Sequence, residues 1–520
     1  AVDTSGNDPL AVGVSVGINF VTLGIEASID DSTVTAGGAV SVGAASAASI
    51  DVLTVAGAAS VGTGGSGNGG TTAFGGAGSG SGNKITQSVE ALITDSTVTA
   101  QGGDLSLSAT DDSSIKADAG SGALAISTGS GSGTNASIAA GAAAATNDVN
   151  GTIHARALDS DLDAAGAFSA TAISNSDIDT LAIAVSGSIT SSQSSAVGIT
   201  GAGAGNGNLI ANSIRATVER STLDAGGGVT LTAIDNASIT ADAGSGSLSV
   251  TVSQGTNVGV GLGFVISINE IDNEALAIID DTTVNAGGEV ILDADSSGDI
   301  NALAVGVALS VETNSGSGAT ISVDGTVALT FNDISNETRA AIEDSDPGTA
   351  DTVSAGGAVQ LNANETGTIT ADAASATVSI SVGSGSGATI SGTISASVAE
   401  NTIDNLAEAV IDGVDTSATG NVSLEATSAK SIDALVVAAS VGFSGGSGGT
   451  SVGLTGAGAS AKNITSNAAL AVIRDTNVTS GGAVSLTAED ASGIYADVAA
   501  ATLSVSFSSG GSSGGLAVGV

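Results

Sequence analysis

Apolar and polar residues alternate in short bursts along the whole chain. Val40-Ser-Val42 is one burst, and Leu105-Ser-Leu107, Val290-Ile-Leu292, Val359-Gln-Leu361, Val422-Ser-Leu424 and Val484-Ser-Leu486 stand in matching contexts. A period of two places Val and Leu on one face of a strand and the middle residue on the other. A glycine pair precedes most of these bursts (Gly37-Gly38, Gly102-Gly103, Gly287-Gly288, Gly356-Gly357, Gly481-Gly482) and can supply the positive φ of a corner. Further alternating runs follow, such as Leu124-Ala-Ile126, Leu248-Ser-Val250, Val378–Val382 and Leu503-Ser-Val505. No apolar stripe recurs at i, i+3, i+4, and Gly, Ser and Thr are too abundant for stable helices. The pattern predicts an all-β chain.

The bursts recur at a fixed period. Anchored on one asparagine, the repeat begins at Asn19, Asn83, Asn147, Asn208, Asn269, Asn332, Asn401 and Asn463, with spacings of 64, 64, 61, 61, 63, 69 and 62 residues. About a dozen residues later comes one phrase, Asp31-Ser-Thr-Val-Thr-Ala-Gly-Gly in the first unit and Asp475-Thr-Asn-Val-Thr-Ser-Gly-Gly in the last. Units also differ in type. Odd ones carry Ile50-Asp-Val-Leu, Ile178-Asp-Thr-Leu, Ile300-Asn-Ala-Leu and Ile432-Asp-Ala-Leu. Even ones carry Ile115-Lys-Ala-Asp, Ile239-Thr-Ala-Asp, Ile369-Thr-Ala-Asp and Ile494-Tyr-Ala-Asp. Leu10-Ala-Val-Gly-Val14 reappears as Leu516-Ala-Val-Gly-Val520, so the two ends match in phase.

Short strands joined by tight corners and repeated in line predict a parallel β-solenoid, in which each unit buries its apolar edge against its neighbours. It is read as one continuous array over 1–520. The approximate units are 19–82, 83–146, 147–207, 208–268, 269–331, 332–400, 401–462 and 463–520, in four odd/even pairs, with 1–18 the tail of a preceding unit. At about 20 residues per rung, each unit of ~63 residues takes three rungs. The eight units then give roughly 24 rungs and a rod about 115 Å long. The glycine-rich stretches 62–82 and 445–456 are where the chain would loop out. The alternative fold is a string of tandem β-sandwiches.

Composition narrows the function. The chain has 52 acidic against 9 basic residues, a net charge of −43. That excludes nucleic acid, whose phosphates need Lys and Arg, and binding to anionic membrane surfaces. It keeps strand-rich objects apart and attracts divalent cations. With Trp, Met and Cys absent and aromatics at 2%, the core is built from Ala, Val, Ile and Leu. Two prolines, Pro9 and Pro347, leave the strand ladders almost uninterrupted. The uncharged stretches Ala119–Asn147 and Thr180–Asn212 are broken by Ser, Gly and Asn, unlike a membrane helix. No aromatic girdles mark a membrane barrel. The reading is no membrane insertion.

The phrase x-S-T-V-T-A-G-G-x-V-S-L-T-A resembles the strand-turn-strand repeat of bacterial haemagglutinin-type large exoproteins, the filamentous-haemagglutinin-like β-helices. It is also similar to the repeat tracts of giant bacterial surface adhesins. The resemblance implies an extracellular or cell-surface protein of a bacterium with two membranes.

Candidate sites are few. The eight asparagines are expected at corners, their amides bonded to neighbouring backbone. Asp118, Asp242, Asp372 and Asp497 in the even units, with Asp51, Asp179 and Asp433 in the odd ones, are either solvated surface charge or Ca²⁺ ligands. The G-G-x-G-x-D nonapeptide of calcium-binding β-helices is not arrayed here. His154 is the sole histidine and has no counterpart in other units, so no catalytic residue is assigned. The expected role is a structural rod, fibre or filament of a bacterial surface or biofilm matrix, joined head to tail. The alternative is a stalk or binding region of a secreted adhesin. Expected partners are further copies of itself, surface glycans or divalent cations, and no cofactor other than Ca²⁺ is expected.

Overall fold

The computed structural model describes residues 2–3, 8–64, 69–346 and 351–520, and Pro347 falls outside them. Its strands pair in parallel, each with a partner one repeat away. Asn147 lies between Asn83 and Asn208, and Ile178 between Ile115 and Ile239. The chain is a parallel β-solenoid of three stacked sheets, with no helix among the described residues. Parallel pairing throughout leaves no place for tandem sandwiches, whose strands pair antiparallel.

The coil count differs from the expectation. Each unit makes one coil, not three rungs, because inter-strand partners are a whole unit apart. Eight coils at ~4.8 Å each stand roughly 38 Å tall, about a third of the expected length. The reason is strand length. The stretches that look turn-rich are extended: Thr72–Thr94 is one 23-residue strand, and Val422–Gly446 is one of 25. The glycine-rich stretch 445–456 runs through a tight turn into Ser451–Thr465 and does not loop out. In 62–82 the flanks are likewise strands, while 65–68 lie outside the described residues.

The fifth coil shows the cross-section. It runs through Asn257–Ile271, Glu274–Asp280, Thr283–Ala286 and Val290–Asn314. The middle part folds into a three-sided base. Ala275, Ala277, Ile279, Val284, Ala286, Val290, Leu292 and Ala294, from all three sides, share one buried cluster. Beyond the base the chain forms a long fin, in which residues 300–314 face 320–334 of the next coil across a turn. Ser310 bonds Asp324 across it, and Ser375 bonds Ser397 at 2.7 Å in the coil above. At 15 residues the fin reaches about 50 Å.

Corners follow the Asp-Ser-Thr phrase. The positive φ falls here and not on the glycine pairs expected to supply it: Asp31, Asp95, Asp159, Asp281 and Asp475 take 43 to 51°, Arg220 takes 47° and Gly413 takes 75°, a left-handed conformation that Asp and glycine tolerate best. The next residue stitches coils together. The Ser32 amide donates to Ser96 Oγ at 3.0 Å, Ser96 to Ser160 at 3.1 Å, and Ser160 to Ser221 at 3.0 Å. At the fin tip glycine is obligatory. A Cβ on Gly318 would sit 2.3 Å from the carbonyl carbon of Gly255, and one on Gly387 2.0 Å from the oxygen of Gly318.

Unit boundaries drawn at the asparagines fall inside strands. Of segment 1–18, Val2–Asp3 pairs one coil ahead of the first, on Ala59 and Ser60, whereas Leu10–Ile18 runs unbroken into Asn19.

The fin reverses the usual polarity. Inward positions of the fifth and sixth coils are Ser310, Glu312, Ser322, Asp324 and Thr326, all buried. Outward positions are aliphatic or small, with Leu262, Phe264, Val307 and Ile394 exposed.

Candidate functional site

The row at Asn19 is a ladder, not a set of corners. Each side-chain amide donates to the side-chain oxygen of the next coil, at 2.8 Å for the first six steps and 2.7 Å from Asn401 to Asn463. The side chains point inward from mid-strand and are buried from Asn83 to Asn401. Identical amides stacked at the strand spacing satisfy one another, as in stacked amyloid strands. The corner role belongs to a second row, four residues on. There the backbone N–H of Asn212 donates to Asn273 Oδ1 at 2.6 Å, Asn273 to Asn336 at 3.1 Å, and Asn336 to Asn405 at 2.7 Å. Asn273, Asn336 and Asn405 sit in the two-residue breaks where fin meets base, while Asn212 lies within the unbroken strand Ala196–Glu219.

Facing this second row is a column in which serine and acid alternate coil by coil: Ser46, Asp111, Ser174, Asp235, Ser296, Glu365, Ser428 and Asp490. Asp235 accepts from Asn273 at 2.9 Å and Ser296 at 3.2 Å, yet burial pushes its carboxyl up to about 7. Asp111 is raised by burial, against hydrogen bonds from Ser113, Gln87 and Ser176. Glu365 is also raised by burial, although Lys430 Nζ lies 3.1 Å away and Thr338 donates to it. Lys430 and Glu365 are both fully buried, and the ammonium gives a second bond to the Thr366 carbonyl at 2.6 Å. Sequence reasoning missed this column, although each acid stands four residues before the isoleucine that marks an even unit. A further carboxyl pair lies inside the fin. Burial raises Glu312 to about 9 and Asp324 to about 7.

The calcium candidates of the even units are not brought together. Asp118, Leu181, Asp242, Leu303, Asp372, Leu435 and Asp497 form one outward column, so successive acids are separated by a leucine. Two coils is about 9.6 Å, too far for oxygens that must all lie 2.3–2.6 Å from one ion. Burial followed by the neighbouring carboxylates Asp179 and Asp433 raises Asp242 and Asp372. Asp179 is paired with Lys116 at 3.4 Å. One other acidic group is compact. Asp281, Asp344 and Asp351 have carboxylate oxygens within 4.8 Å of one another, beside the extra residues of the sixth unit. Asp344 is raised by burial and then by Asp281. Among the described residues no fourth Asp, Glu, His or Cys joins these three within that distance.

His154 lies on the outer face, opposite Arg215 in register. Burial, then Arg215 and Arg156, lower its pKa to about 4, so it is neutral at pH 7. All nine Lys and Arg pair with a carboxylate on an adjacent coil, among them Lys84–Asp148 and Arg156–Glu219 at 2.5 Å and Arg339–Glu408 at 2.7 Å. The basic charge binds coil to coil. No helix of the described residues is long and apolar enough to cross a membrane.

No family model matches the sequence, and no curated protein or solved structure matches it.

Proposed function

We propose that the chain is a structural repeat segment of an extracellular fibre or filament of a bacterial surface or matrix, extended by stacking coil on coil. The role is mechanical, and no catalytic centre is assigned to it. The observation that carries this reading is the direction of the specific bonds. The asparagine ladder, the serine ladder and all nine ion pairs run along the solenoid axis between neighbouring coils. A strand edge at the end of such a stack is a template for another coil. The resemblance to filamentous-haemagglutinin-like repeats supports an extracellular setting outside a two-membrane cell.

Negative-stain electron microscopy of the purified chain, with and without EDTA, tests the proposal. Long filaments with a coil-stacked axis are expected. Single particles about 38 Å tall at every concentration would overturn head-to-tail growth. Filaments that dissolve in EDTA would assign the joint to bridging cations instead of strand pairing.

A further inference from the structure

The back face of the fin has no partner within its own chain, and its pattern specifies one. Outward residues in the row that starts at Val55 are Val55, Gly120, Ile183, Gly244, Val305, Ala374, Val437 and Ala499. Odd coils raise a branched aliphatic and even coils leave glycine or alanine. Four residues further along, the first four coils reverse the order, with Ala59 and Gly187 in odd coils and Leu124 and Leu248 in even ones. In these four coils the large side chains form a checkerboard of ridges two coils apart, about 9.6 Å, whereas in the last four the second row is aliphatic throughout, with Leu309, Val378, Val441 and Leu503. Leu124, Val185 and Leu248 wall one hollow of about 310 Å³, floored by Gly122 and Gly187.

The fold does not require these glycines. None has a positive φ. A Cβ on Gly122 would meet nothing within 4 Å, and one on Gly120 or Gly244 only a side-chain methyl or methylene at 3.9 Å. Glycine inside a strand costs stability, and where the backbone does not need it, it marks the close approach of another chain. Charge agrees. Between the Asp118 row and the tip this face carries no charged residue other than Glu312, which points inward. In a chain of net charge −43, an uncharged face is the one on which two copies approach without repulsion.

We infer that two copies of the chain pair sideways, back face to back face and offset by one coil, so that the ridges of each fill the glycine and alanine positions of the other. A second copy is the occupant because its ridges share the same spacing and its face is equally uncharged. With the offset, seven coils by ten residues is roughly 1,100 Å² per copy, above the ~800 Å² per partner of a stable interface. The contact is lateral and does not depend on end-to-end growth.

The test is sedimentation velocity over a concentration series, with particle width and length read separately by electron microscopy. The wild-type chain is expected to pair, doubling fin thickness while adding only about one coil, ~4.8 Å, to the height. Ile183→Lys with Val185→Lys should abolish pairing. Gly122→Leu with Gly244→Leu fills the grooves, makes the face more apolar and should also abolish it. Thr232→Lys, on the outer face of the base, should leave it intact. Circular dichroism confirms that each variant folds. A wild-type chain that stays single, or a Gly122→Leu/Gly244→Leu variant that pairs as well as wild type, overturns the inference. So does flotation of the single chain with phosphatidylcholine vesicles, which would assign the face to lipid. Loss of filament length with pairing intact would count against head-to-tail growth alone.

Discussion

Asn147 and Asn208, 61 residues apart in the chain, are joined through their side-chain amides at 2.8 Å, both of them buried. Asn208 passes its own N–H on to Asn269, so each member is donor to one neighbour and acceptor from the other. Removing Asn208 leaves the Asn269 side-chain oxygen without its donor and takes one of two partners from the Asn147 amide, which keeps Thr180 at 2.7 Å. Asn208→Ala is expected to cost about 1–3 kcal/mol, read as a lower urea midpoint. Asn19→Ala, at the half-buried end, interrupts one bond in place of two and should cost clearly less. Equal losses at the two positions would count against the ladder as a source of stability.

The ion pair of Lys430 and Glu365 has no water to fall back on. Lys430→Met leaves a buried carboxylate whose pKa is already raised, and should cost about 3–5 kcal/mol. The double variant Lys430→Met/Glu365→Gln removes both charges and is expected to recover much of that loss. Chemical denaturation of the two variants decides it. A single variant as stable as wild type would mean that the pair is not buried in solution.

Acid should stabilise this protein. Asp235 and Asp324 titrate at about 7 and Glu312 at about 9 in the folded chain, all pushed up by burial from ordinary carboxyl values. With the folded pKa raised, the native state binds more protons than the unfolded chain between pH ~4 and 9. Stability from these groups is complete below about pH 4 and is lost as pH rises through 7 and then 9. Thermal melts at pH 5, 7 and 9 should give falling midpoints. Glu312→Gln should flatten the fall above pH 7 and raise the midpoint at pH 9. A melting point that rises with pH would contradict the burial of these carboxyls.

Much of the fold was legible. The spacing of the asparagines gave the coil, but the left-handed corner fell on residues such as Asp159, with Ser160 bonding the next coil, and not on the glycine pairs. The coil count was misread for a physical reason. Gly and Ser in Gly244-Ser-Gly-Ser247 look like turn residues, yet there they are strand residues of a fin whose interior admits small side chains on both inner faces. The asparagine row was misplaced because one unit cannot tell an amide bonded to backbone from an amide bonded to its own copy. Only the identity of the residue at every period distinguishes them. Lys430 is a single departure from the repeat, so the acid four residues before each even-unit isoleucine points to Glu365 but not to the ammonium that meets it. The Asp118 column was read as a possible cation site because its alternation with leucine is visible only once the coils are stacked.

Glycines separate into two kinds, and substitution should tell them apart. Gly318 stacks on Gly255 at the fin tip, where a Cβ would lie 2.3 Å from backbone atoms that cannot swing aside. Gly122 stands on the open outer face with nothing within 4 Å of an added Cβ. Gly318→Ala should therefore separate the tips of neighbouring coils, lower the urea midpoint and speed amide exchange at Gly255 and Gly387. Gly122→Ala removes backbone freedom from the unfolded chain without a clash and should stabilise it by about 0.5–1 kcal/mol. Hydrogen exchange and urea unfolding on the two single variants make the comparison. If both substitutions destabilise alike, the stacked tip is not what requires glycine, and the close coil-to-coil approach at residues 255, 318 and 387 is wrong.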